Sequence, residues 1–204
     1  MSITDLVSRV DTISARAPRV IIGIAGSPGS GKTTLATALV AALGERAAYL
    51  PMDGFHLANA TLDRLGRRDR KGALDTFDGA GFVALLERVR QDTQHTVYAP
   101  SFRREVDEPI AGEIAIEPSA QVVIVEGNYL LVDEDPWKRV LNVLDEAWFC
   151  DSPADIRLAR LIDRHTRGGR TPAEAERFAR DVDGANADII EATAHRAVRR
   201  VRGY

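Results

Sequence analysis

The chain has 204 residues, 45% of them apolar and 28% charged, enough to bury a sizeable core as one domain over residues 1–204 and too few for a second full domain. A formal net charge of −3 and an isoelectric point near 5.8 exclude a broad electrostatic claim on nucleic acid or an anionic membrane, and a single cysteine excludes an internal disulfide framework. No apolar run reaches bilayer-spanning length, so the expectation is a cytoplasmic protein with a small-molecule partner.

The first segment, MSITDLVSRVDTISARAPR, carries acidic residues and no signal-peptide core, and reads as an amphipathic lead-in helix. After it, short apolar runs alternate with helical periods, the pattern of an α/β fold. Strands are predicted at 19–26, 47–52, 121–126 and 147–151. The third, QVVIVEG, is apolar without alternation, as a parallel strand covered on both faces must be. Cys150, in AWFCD, reads as a buried, inert strand residue. In the predicted helix at 79–93, Phe82, Leu85, Leu86 and Val89 share one face. Asp135 before Pro136, Ser152 before Pro153 and Thr171 before Pro172 each pair an expected N-cap with proline at the first helical position, and Thr171 with Glu174 makes a capping box. The turn-rich stretch at about 95–118 reads as short antiparallel strands inserted beside the main sheet on the substrate side.

Residues Gly26-Ser27-Pro28-Gly29-Ser30-Gly31-Lys32-Thr33 satisfy G-x-x-x-x-G-K-[ST], after a strand and opening a helix, where that motif has to stand. Its glycines allow successive N–H groups to face one phosphate, and the helix that follows adds its positive end. Gly26, Ser27, Gly29, Ser30, Gly31, Lys32, Thr33 and Thr34 are therefore the expected nucleotide contacts. Lys32 is expected to reach the β- and γ-phosphates of ATP, and the Thr33 hydroxyl to coordinate Mg²⁺. Guanine-specificity and transporter-signature strings are missing, and the chain is too short for a two-domain helicase. That leaves ATP-dependent transfer to a small acceptor. Asp53, in MDGFH, stands at the carboxyl end of the second strand, on the edge where such sheets bind ligands, and is the candidate base.

The stretch MDGFHLANATLDRLGRRDRKGALDTFD resembles the corresponding segment of the P-loop kinases that include uridine kinase, phosphoribulokinase and bacterial pantothenate kinase. With VIVEGNYLLVDEDPW and RLARLIDRHTRGGR, the chain is most similar to the small bacterial proteins labelled fructose transport system kinase. The resemblance implies a three-layer P-loop fold, a parallel sheet flanked by helices with a small antiparallel insertion and a helical lid. It also implies Asp53 as catalytic base and Glu126, at the end of the most apolar strand, as the residue that holds a metal water beside Thr33.

Arg157, Arg160, Arg164 and Arg167 recur at helical spacing, with Leu158, Leu161 and Ile162 on another face. With Gly168, Gly169 and Arg170 they resemble the lid of these kinases, at about 157–172, with Arg160 and Arg164 the candidates for contact with the transferring phosphate. His56, Asn59, Arg67, Lys71, Asp75, Tyr98 and Arg104 form the acceptor shortlist. In YAPSFRRE, Arg103 takes a position that is acidic in the related proteins, which favours an anionic acceptor. The resemblance implies a sugar acceptor such as fructose, with pantothenate-like or nucleoside acceptors as alternatives and a homo-oligomer as a common assembly. A nucleotide-sensing ATPase without an acceptor is the reading from another class.

Overall fold

A computed structural model of the chain describes residues 2–203. Strand β1 (Val20–Ala25) is buried at all six positions, so both of its faces and both of its edges need partners. It pairs in parallel with β5 (Val122–Gly127) and β6 (Glu146–Asp151). Strand β2 (Ala47–Pro51) adds to β5, and β7 (Arg199–Arg202) to β6, both in parallel, giving the order β2-β5-β1-β6-β7.

Alternate strand residues divide the core into two layers. Val20, Ile22, Ile24, Val122, Ile124 and Trp148 meet Leu6, Val10 and Ile13 of α1 (Ile3–Ser14) and Leu35 and Leu39 of α2 (Lys32–Leu43). Ile21, Val123, Val125 and Phe149 face the other way, toward Phe82, Leu86 and Val89 of α4 (Gly79–Gln91). Between α2 and α4 lies the short α3 (Asn59–Leu65). Strands β3 (Val97–Arg103) and β4 (Glu108–Ile116) form the separate antiparallel pair, which contributes Val97, Ala99 and Ile116 to the second layer. The C-terminal part runs through α5 (Val140–Val143), α6 (Ala154–Arg167), α7 (Pro172–Phe178) and α8 (Gly184–Ala192). No helix among the described residues is long and apolar enough to cross a membrane.

The predicted strands fall within two residues of those observed, and Cys150 is buried in β6. The capping expectations need correction at two of three sites. Thr171 and Glu174 do form the capping box, with Pro172 opening α7. Ser152 does not cap α6, because Pro153 is still extended (ψ 143°) and the helix starts one residue later. Asp135 caps no long helix; Pro136 leads into the 3₁₀ turn Trp137–Arg139, and the Asp135 carboxylate pairs with Lys138 at 2.7 Å. Strand β7 was not foreseen.

The 3₁₀ turn Met52–Phe55, which carries Asp53, is clamped against the hairpin. A Cβ on Gly54 would stand 2.1 Å from the Pro100 carbonyl oxygen, a contact with unyielding backbone. Gly54→Ala should therefore cost about 1–3 kcal/mol and lower Tm by several degrees in thermal unfolding; an unchanged Tm would show that the hairpin does not hold this turn.

Candidate active site

The parallel register places Ile24 beside Glu126 and Glu126 beside Pro51. Two residues past Ile24 the phosphate loop begins at Gly26, and two past Pro51 stands Asp53. Three elements separated in sequence thus deliver their functional residues to one sheet edge. Close approach keeps them there: a Cβ on Gly26 would lie 2.7 Å from the Cys150 carbonyl oxygen, and one on Gly127 2.5 Å from Met52 Cβ. In the loop, Ser30 N–H donates to the Ser27 carbonyl at 3.1 Å, and Gly29 and Gly31 hold φ values of 76° and 90° that side chains disfavour. Helix α2 begins with no side-chain cap, leaving its first N–H groups available to an anion. The Lys32 ammonium has no hydrogen bond or ion pair among the described residues. Thr34 lies exposed in the first turn of α2.

The Glu126 carboxylate is buried and accepts from Thr33 Oγ1 at 3.1 Å and from Tyr49 Oη at 2.8 Å. Burial pushes its carboxyl above the usual range, the nearby Asp53 adds to this, and Lys32 opposes it. The charge of Asp53 acts on Tyr49, His56, Tyr129 and Arg164; its carboxylate has no hydrogen bond or ion pair among the described residues. The adjacent hydroxyl and carboxylate of Thr33 and Glu126 are hard oxygen donors that fit Mg²⁺, which binds through few protein ligands and keeps several waters.

The arginine row of α6 divides. Arg157 pairs with Glu191 of α8, and Ser27 Oγ donates to the same Glu191 oxygen at 2.5 Å. Glu191 therefore ties the phosphate loop to α6, a role that sequence spacing does not disclose. Arg160 Nη1 donates to the Gly29 carbonyl at 3.2 Å. Arg164 reaches toward Asp183 at 3.9 Å; its side chain is 40% exposed, yet desolvation still draws it below its ordinary value. Arg167 departs from the expected lid set, pairing with Asp163 on the exposed side of its own helix. Asp183 lies buried in a π-helical turn, Ala179–Asp183, a distortion frequent at functional sites. It also bonds His165 Nε2 at 2.6 Å, while Arg170 Nη1 donates to His165 Nδ1 at 3.0 Å and its guanidinium covers the Phe178 ring.

On the acceptor side, His56 stacks on Phe77 with ring centroids 3.9 Å apart and lies 4.8 Å from Phe102. Its Nδ1 is buried without a partner, and burial pushes its pKa down to about 4. Lys71 Nζ donates to Asn59 Oδ1 at 2.6 Å and stands 3.1 Å from Asp107. Arg67 and Asp75 hold each other, with Arg70 also on Asp75. Two expectations are corrected here. Tyr98 is 60% exposed, on the outward face of a strand whose neighbours Val97 and Ala99 are buried. Arg103 pairs with Glu113 and adds no free charge to the site.

The sequence model described as the phosphoribulokinase/uridine kinase family matches residues 21–187, and the chain belongs to that family; it is a P-loop kinase. A Schizosaccharomyces pombe protein whose name is that of a uridine kinase is 34% identical over 188 residues, covering 88% of this chain and 80% of its own. An Aspergillus versicolor protein named ATP-dependent kinase-like is 39% identical, covering 68% of this chain and 86% of its own. Among solved structures, one named as a fructose transport system kinase from Silicibacter sp. TM1040 superposes with a TM-score of 0.90 at 37% identity, covering 98% of this chain and 99% of its own.

The two buried titrating groups carry stability signatures. Glu126 is raised by burial, so its ionised form weakens the fold above the ordinary carboxylate range; Glu126→Gln should raise Tm by a few degrees at about pH 7, with the gain vanishing toward about pH 4, and should diminish stabilisation by Mg-ADP. A lower Tm for this variant at neutral pH would contradict the burial account. His56 is held neutral down to about 4 against an ordinary 6.5, so the unfolded chain binds the extra proton and stability falls as pH drops through that window. His56→Phe, which keeps a ring on Phe77, should show a shallower loss of Tm across it; parallel curves would sink the assignment.

Proposed function

We propose that the chain transfers the γ-phosphoryl group of Mg-ATP to a hydroxyl of a small cytoplasmic metabolite, a sugar such as fructose being the first acceptor to test. The observation that carries this reading is the carboxylate of Asp53. It has no hydrogen bond or ion pair among the described residues, and it lies two residues past β2, at the sheet edge shared with the phosphate loop. A nucleotide sensor has no use for such a group, whereas a kinase needs a carboxylate to orient and deprotonate the acceptor.

In this mechanism the loop N–H groups and the start of α2 hold the triphosphate, and Lys32 spans its β- and γ-phosphates. Thr33 and Glu126 would hold Mg²⁺, which supplies neutralisation of phosphate charge. Asp53 accepts the hydroxyl proton as the acceptor oxygen bonds to the γ-phosphorus and the bond from that phosphorus to the β,γ-bridging oxygen breaks. Arg160 and Arg164 offset the charge that builds on the transferring group, and closure of the α6–α7 segment keeps water from competing as acceptor. The name of the Silicibacter relative supports a sugar, and that of the Schizosaccharomyces relative supports a nucleoside as the second reading.

Asp53→Asn preserves shape and removes basicity, so phosphoryl transfer should fall about 100-fold or more while ATP affinity holds. Loss of ATP binding with unchanged transfer per bound ATP would make Asp53 a structural residue instead. ADP release with Mg-ATP and a panel of sugars, sugar phosphates, pantothenate and nucleosides should rise at least about 10-fold with one of them. A flat panel over steady hydrolysis would favour the acceptor-free regulator.

A further inference from the structure

Neither the phosphate-loop motif nor the arginine helix makes any use of Tyr49. It stands in β2, at the edge of the main sheet, opposite Ile124 of β5 in a pairing that sets Pro51 opposite Glu126. Paired residues of parallel strands share a face, so Tyr49 and Glu126 are diagonal neighbours, a separation that an aromatic side chain can span. The body of Tyr49 packs on the layer that holds Ile124 and Leu35, and its tip reaches forward: Tyr49 Oη donates to Glu126 Oε1 at 2.8 Å. Thr33 Oγ1, from the first turn of α2, donates to the same oxygen at 3.1 Å.

Two donors on one oxygen make the carboxylate asymmetric. Glu126 is only 3% exposed, yet its Oε2 has no hydrogen bond among the described residues and is not sealed from solvent. The last torsion of a glutamate side chain is broad and nearly two-fold, so a single donor does not settle which oxygen is spent on the protein and which stays open. A second donor, brought by a different element of the fold, does settle it. The Thr33 hydroxyl gives its one proton to Oε1 and keeps its lone pairs, so its bond to Glu126 is compatible with a cation on the same hydroxyl. A phenylalanine at 49 would fill the same space on the sheet and leave Oε1 to Thr33 alone. The hydroxyl is thus the part of Tyr49 that packing does not require.

We propose that Tyr49 is a positioning residue for magnesium: it pins Glu126 by one oxygen so that the other is kept for a water of the nucleotide-bound Mg²⁺. This rests on the reading of Thr33 and Glu126 as the magnesium residues, and binding measurements without turnover test the two claims separately. ADP affinity is measured by calorimetry in EDTA, and the Mg²⁺ concentration that gives half of the magnesium-dependent gain in Tm is measured at saturating ADP. Tyr49→Phe should raise that concentration about 10-fold, the loss usual for a residue that orients a metal ligand, while ADP affinity in EDTA stays within about twofold. A tyrosine that merely packs the edge strand would instead weaken ADP alike with and without magnesium. Because Tyr49 acts through Glu126, adding Tyr49→Phe to Glu126→Gln should move the magnesium midpoint little further than Glu126→Gln alone. An unchanged midpoint in Tyr49→Phe, an equal loss of ADP affinity in EDTA, or a full additional shift in the double variant overturns the proposal and leaves the metal role of Glu126 standing. An unchanged midpoint in Glu126→Gln would remove that metal role, and the proposal with it.

Discussion

The parallel register that seats Glu126 between Ile24 and Pro51 is the constraint on which the site depends. Side chains alternate along a strand, so a slip of one residue in β5 would turn Glu126 to the other face. It would leave Thr33 and Tyr49 without their acceptor and would turn the carboxylate into the apolar layer that holds Val123 and Val125. Val122 to Val125 are buried and apolar on both faces, so the slip is opposed by the cost of burying the Glu126 carboxylate away from its two donors. The core therefore does more than stabilise: it sets the distance between the phosphate loop and Asp53. The buried Glu126 charge weakens the fold that holds it.

A second level of organisation comes from two carboxylates in the C-terminal third. Glu191 joins Ser27 of the phosphate loop to Arg157 of α6. Asp183 joins His165 to the neighbourhood of Arg164. Gly29 contributes by lacking a side chain, since a Cβ there would meet the Arg157 carbonyl at 2.8 Å. The arginine-bearing helix is thereby seated directly on the loop, and its orientation follows from contacts made by residues over 100 positions away in the chain.

What could be read from the sequence divides along the same physical line. The phosphate loop is contiguous, and its glycines, lysine and threonine must follow one another, so it is legible without coordinates. Asp53 and Glu126 were legible because each ends an apolar run. Strand β7 was not: Arg-Arg-Val-Arg carries no apolar run, and only its pairing with β6 makes it a strand. Tyr98 was misplaced because facing within the hairpin is set by pairing and by the register shift between Ala99 and Ser101. Glu191, Asp183 and Glu113 escaped notice because a carboxylate's partner lies in the fold and leaves no local mark. The proline-based caps at Asp135 and Ser152 failed since proline fixes its own φ but not the ψ that would begin a helix.

The destination of the γ-phosphoryl group tests the account most directly. The chain can be supplied with Mg-ATP and a mixture of fructose, fructose 6-phosphate, gluconate, pantothenate and uridine in oxygen-18 water, and every phosphorylated product analysed by mass. The account predicts the phosphoryl group on an organic acceptor with no heavy oxygen incorporated, because the acceptor hydroxyl supplies the new bond. Recovery of the phosphoryl group only as inorganic phosphate bearing oxygen from the solvent would contradict it.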